Sequence, residues 1–131
     1  MYIPQGFGTM FPYIFASKAD KYIEFLKNAF DAEEIGRTSA PDGTVANSRV
    51  KIGTTTFMVS EASEQMQPTK STYYLFVEDA DVAFKKALTS GAEKMFEPMD
   101  MPYGDRQSGV IDPAGNIWWV SKRLVQEPYD Q

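Results

Sequence analysis

The sequence carries a copy of itself. Shifted by 61 positions, Tyr13-Ile14-Phe15-Ala16-Ser17-Lys18-Ala19-Asp20 falls on Tyr74-Leu75-Phe76-Val77-Glu78-Asp79-Ala80-Asp81, and four of these eight residues are identical. The same shift lays Phe57-Met58-Val59-Ser60 on Trp118-Trp119-Val120-Ser121, Gly43 on Gly104 and Val50 on Ile111. One displacement without a gap matches both ends and the middle, which points to two copies of a supersecondary unit of about 53 residues. Two copies are too few for a solenoid. The expectation is one pseudo-symmetric domain over residues 1–131, with modules at 9–62 and 71–123.

Each copy reads as a strand, a helix and three further strands. Thr9 to Ala16 alternates aromatic and small residues, and Ser17 with Asp20 three positions on has the spacing of a capping box. Ala19, Tyr22, Ile23, Leu26, Ala29 and Phe30 then recur at helical spacing. Strands are expected at Glu33–Ser39, Thr44–Ile52 and Thr54–Glu61, punctuated by Pro41-Asp42-Gly43 and Gly53. The second copy starts at Ser71–Val77, and Asp79 or Asp81 caps a helix carrying Val82, Ala83, Phe84, Ala87 and Leu88 that stops at Gly91. Strands at Glu93–Pro98, Gln107–Asp112 and Asn116–Lys122 complete it. Residues 63–70 form a polar linker, and the tail from Val125 is expected to be a loose end. The fold class is therefore α+β, with two βαβββ modules whose curved antiparallel sheets surround a concave pocket.

Strand alternation sorts the side chains into two faces. Ile14, Phe57, Val59, Leu75, Val77, Trp118 and Val120 form an apolar set suited to lie under the helices. The opposite face carries aromatics among hydroxyls, including Tyr13, Phe15, Ser60, Thr72, Tyr74, Phe76, Trp119 and Ser121. That mixture suits a surface that holds an apolar ligand and orients it with a few polar groups. A second core or a dimer seam is the alternative use of such a face. Asn47 and Arg49 stand on the third strand, where the sequence leaves their face open.

Composition narrows the chemistry. The chain contains no histidine and no cysteine, so Ser-His-Asp and Cys-His triads, His- or Cys-ligated zinc, iron–sulfur clusters and disulfides are excluded. A net charge of −5, with both signs interleaved, offers no basic stripe for nucleic acid. The apolar runs are far shorter than the roughly 20 residues that span a bilayer, so no membrane partner is expected. The N-terminus lacks the basic start and apolar core of a signal peptide, and a cytoplasmic protein is the expectation.

Two βαβββ units, with Asp112-Pro113-Ala114-Gly115-Asn116 turning into the last strand, resemble the vicinal oxygen chelate superfamily. That group holds glyoxalase I, extradiol dioxygenases and the bleomycin and fosfomycin resistance proteins. Tyr103-Gly104-Asp105-Arg106, followed by Gly109, Asp112-Pro113, Gly115 and Trp118, is most similar to its PhnB-like, glyoxalase-related branch. The resemblance covers Thr9 to Arg123. Metal-dependent members take one ligand from the first and one from the last strand of each module, which the resemblance places at Phe11, Met58, Thr72 and Trp119. Phe and Trp have no suitable donor, the Met thioether is soft, and a lone Thr hydroxyl is a poor ligand. The resemblance thus implies an aromatic floor in place of the metal site, with no metal and no cofactor. Members without metal hold a planar or amphipathic compound between aromatic walls, as the bleomycin-sequestering proteins do.

The leading expectation is metal-independent binding of a small, partly apolar, aromatic molecule, for sequestration, by a homodimer. Phe11, Tyr13, Met58, Thr72, Tyr74 and Trp119 would line the site, and Arg106 would clamp an anionic group unless an ion pair within the fold holds it. An enzyme is the rival, a metal-independent lyase or isomerase working through a carboxylate such as Glu61, or through a tyrosine. A dimeric structural module without ligand is the third reading. Asp112 reads as a turn residue.

Overall fold

The structure, a computed structural model, describes residues 1–129. The chain forms two compact units that meet in sequence at Thr69 and Lys70. In the first, β1 (Tyr13–Ala16), α1 (Ala19–Phe30), β2 (Glu33–Ser39), β3 (Val45–Ile52) and β4 (Thr55–Glu61) follow in order. In the second, β5 (Thr72–Phe76), α2 (Ala80–Thr89), β6 (Glu93–Asp100), β7 (Asp105–Ile111) and β8 (Ile117–Arg123) repeat the sequence of elements. The sheets have strand orders β1-β4-β3-β2 and β5-β8-β7-β6. Both are mixed rather than antiparallel, because β1 runs parallel to β4 and β5 parallel to β8. The helix causes this: it returns the chain, so β2 starts in the direction of β1, and two hairpin reversals then bring β4 into that direction too.

Register shows where the repeat slips. Tyr13 pairs with Met58 and Tyr74 with Trp119, which keeps the 61-residue shift on the outer strands. Val50 pairs with Phe57, however, and Val110 pairs with Trp118. The counterpart of Val50 is therefore Val110, not Ile111, and the central strands are displaced by 60. The difference is recovered in the turn into β8: four residues separate the paired Lys51 and Thr56, but five separate Ile111 and Ile117.

The helices cover the apolar faces. Ala19, Tyr22, Ile23, Phe25, Leu26, Ala29 and Phe30 of α1 are buried, as are Ile14, Val50, Phe57 and Val59 of the first sheet. In the second unit Phe84 and Ala87 of α2, Val110, Trp118 and Val120 are buried, whereas Leu75 and Val77 are half-buried and Val82 is 59% exposed.

The helix starts differ. Asp79 caps α2 through its carboxylate, which accepts from the N–H groups of Asp81 and Val82. The capping box expected at Ser17 does not form, because the left-handed Lys18 (φ 57°) takes the N-cap position and Ser17 precedes it. Glu61, at the end of β4, does the capping instead: its carboxylate accepts from Lys18 N–H at 2.9 Å and Ala19 N–H at 3.0 Å. A carboxylate there also faces the positive end of the helix dipole. Glu61→Ala is expected to cost about 1 kcal/mol in urea unfolding, and Glu61→Gln less because an acceptor remains.

Candidate functional site

Each sheet turns one face away from its helix, and on these faces the polar groups are ordered by one another. On the first sheet Tyr13 and Phe15 stack with ring centres 4.5 Å apart. A directed chain of hydrogen bonds runs beside them. Asn47 Nδ2 donates to the Tyr13 hydroxyl at 3.3 Å. The Tyr13 and Ser60 hydroxyls lie 3.0 Å apart, and Ser60 Oγ donates to Ala46 O at 2.8 Å. Because Ser60 spends its proton on Ala46, the Tyr13 O–H is left to donate to Ser60. Tyr13, Phe15, Thr44, Ser60, Glu61 and Met66 help to line an open cleft of about 490 Å³, within the size range of small-molecule sites.

On the second sheet Tyr74 and Phe76 repeat the aromatic pair at 5.3 Å. Trp119 lies beside Tyr74 in register. Its indole N–H donates to Thr72 Oγ1 at 2.6 Å, and its ring meets Phe96 at 5.8 Å. Phe96 reaches Trp119 across Gly109, where an added Cβ would come within 2.5 Å of the Phe96 ring.

The four positions assigned to family metal ligands can now be placed. Thr72 and Trp119 are joined to each other. Met58 lies between Tyr13 and Arg49 in register, and Asn47 Nδ2 is 3.5 Å from its sulfur. Phe11 lies two residues before β1, against Phe7 at 5.0 Å. These donors do not suit a catalytic divalent ion. Among the described residues no three His, Cys, Asp or Glu side chains gather closely enough to hold one.

Two expected site residues have structural work. Arg106 pairs with Lys122 in register, which puts it on the helix side of the sheet and not with Trp119. It makes a two-point bond to Asp81 at 2.9 and 3.0 Å and a third to Asp100 at 3.0 Å, and this bonding holds the Asp81 carboxyl below its ordinary range. Glu61 lines the cleft, but both its oxygens cap α1. Tyr74 donates to Asp105; burial first, then that bond, push its phenol well above the ordinary tyrosine range, so it stays protonated at neutral pH.

Sequence reasoning missed one feature of these faces. Arg49 occupies the position that Gly109 takes in the second unit, and Gly36 the position of Phe96. In each unit a glycine makes room for a large side chain from the neighbouring strand, but the two units exchange which strand provides it. The 61-residue shift hides this exchange, because the central strands obey a shift of 60.

Residues 9–120 match the family model described as the Glyoxalase/Bleomycin resistance protein/Dioxygenase superfamily. The chain belongs to this superfamily. Among its relatives is the uncharacterized protein Mb0911c of Mycobacterium bovis, 34% identical over 92% of this chain and 86% of that protein. The fold is similar to that of TioX from Micromonospora sp. ML1, with a TM-score of 0.76 at 24% identity over 89% of this chain and 99% of that one. TnmS3, an antibiotic binding protein from Streptomyces sp. CB03234, gives a TM-score of 0.71 at 18% identity over 94% of this chain and 98% of its own.

Proposed function

We propose that this superfamily member binds a small, planar, partly apolar molecule without a metal ion and thereby sequesters it. The observation that carries the reading is the bond between Trp119 and Thr72. It joins two positions to which the family resemblance assigns metal ligands, and it leaves the indole fixed at its edge beside Phe96, Tyr74 and Phe76. An aromatic ring held this way loses little freedom when another ring stacks on it. The fold shared with an antibiotic binding protein supports the reading by analogy alone. Acid–base catalysis has less support, since Glu61 is engaged by α1 and the Tyr74 hydroxyl donates its proton to Asp105.

Thermal-shift screening of planar aromatic compounds, with and without EDTA, tests the proposal. Compounds that bind are expected to raise Tm equally in both conditions, because ligand bound to the native state stabilises it. Trp119→Ala is expected to weaken them about tenfold or more. Stoichiometric metal whose removal abolishes binding, or ligands indifferent to Trp119→Ala, would overturn it.

A further inference from the structure

We infer that Arg49 is a recognition site for a planar anion, a carboxylate above all, carried by a small aromatic ligand. This inference stands on the first sheet and does not need the Trp119 platform. The chain has four arginines, and three hold carboxylates: Arg37 with Glu34, Arg106 with Asp81 and Asp100, and Arg123 with Asp105. Arg49, half-buried, has no acidic partner among the described residues. Its Nη1 alone is engaged, donating to Asn47 O at 3.0 Å, Asn47 Oδ1 at 3.1 Å and Thr38 Oγ1 at 3.3 Å. All three acceptors are neutral, so they orient the guanidinium and leave its charge uncompensated.

Gly36 completes the arrangement. A Cβ at Gly36 would come within 2.7 Å of Nη2 and 3.5 Å of Nε, so only a glycine leaves that edge of the guanidinium clear of its neighbour strand. With Nη1 held from one side, Nε and Nη2 have no protein acceptor among the described residues. That edge of a guanidinium matches the two oxygens of a carboxylate, giving parallel charge-assisted bonds. Met58 is the cross-strand neighbour of Arg49, and Tyr13 is the neighbour of Met58. An apolar body attached to the acid would therefore lie over a thioether and a phenol ring. The ligand class is an aromatic acid, with the charge and the ring adjacent.

The test uses 2-naphthoate and its neutral partner 2-naphthamide, titrated into the full chain and followed by NMR, including the Arg49 Nε–H resonance. Naphthoate is expected to bind about tenfold more tightly than naphthamide and to shift that resonance. Arg49→Gln should bring the two probes to equal affinity, and Arg49→Lys should restore part of the preference as a point charge; dispersed spectra establish that each variant is folded. Equal affinities in the wild type, a preference that survives Arg49→Gln, or no shift with either probe would overturn the inference. Trp119→Ala separates the two readings. A charge preference with affinities indifferent to that change leaves Arg49 standing and removes the platform, whereas equal probes that both weaken leave the platform and remove Arg49.

Discussion

Asp105→Ala is expected to lower the unfolding free energy by about 3–5 kcal/mol, the largest effect of any single polar substitution in the second unit. Asp105 is fully buried at the start of β7. One oxygen accepts from Tyr74 and, at 2.6 Å, from Tyr129; the other accepts from Arg123 Nη1 at 3.1 Å. Arg123 also lies over the Tyr129 ring, 4.0 Å from its centre. Alanine would leave the largely buried Arg123 charge without its carboxylate, a loss that costs more than the bond was worth, whereas the two phenols, both exposed, recover part of theirs from water. Asp105→Asn keeps the volume and one acceptor, so it should recover only part. Urea midpoints at constant m-value check both.

Acidity gives the same cluster a signature. Burial alone would raise the Asp105 carboxyl, but the bonds from Tyr129, Tyr74 and Arg123 outweigh it and hold the group below its ordinary value. A depressed folded-state pKa contributes stability above the unfolded value of about 4, and that contribution is lost as pH falls. Tyr74 is displaced upward, so its contribution is full below about pH 10 and lost above. The gap between wild type and Asp105→Ala should therefore be widest between these limits and narrow toward both ends. Glu34, whose pKa is lowered to about 2 despite burial by bonds from Arg37 and Ser48, titrates alike in both proteins and drops out of the difference.

The repeat made the order of elements legible because identical residues sit where the two copies do the same job: Tyr13 and Tyr74 beside the last strand, and Ser60 and Ser121 next to them. What the repeat concealed lies where the copies diverge. A turn longer by one residue displaces β7, and with it the exchange of Arg49 with Gly109 escapes a fixed shift. Long-range partners were hidden for a different reason. Glu61 meets α1 and Arg106 meets Asp81 only through the fold, and neither pairing leaves a spacing that a linear pattern can reveal. Nor do residues 125–129, the described part of the tail, behave as the loose end that composition suggests; residues 130 and 131 lie outside the described residues. Tyr129 is tied to Asp105 and Arg123, partners that its sequence neighbours do not announce.

Asp112→Ala should destabilise the protein by about 3 kcal/mol and alter its tryptophan fluorescence, whereas Pro113→Ala should have a much smaller effect. The sequence reading of Asp112 as a turn residue holds, with more work than a turn requires. Its Oδ1 accepts from the N–H groups of Ala114 and Asn116, both at 2.9 Å, which closes the bend ahead of β8. Its Oδ2 accepts from Asn116 Nδ2 at 3.2 Å and from the Trp118 indole N–H at 2.8 Å. Asn116 and Trp118 are both buried, so alanine takes from a buried amide and a buried indole N–H the acceptor that they share, at about 1–3 kcal/mol for each bond lost. Asp112→Asn keeps an acceptor for one of them and should fall between. Because Trp118 and Trp119 are adjacent on β8 with opposite facing, loosening the first should disturb the second. A fall in the affinity of planar ligands on Asp112→Ala, together with the stability loss, is the expected result. Unchanged affinity would show that the Trp119 platform is held from the Thr72 side alone.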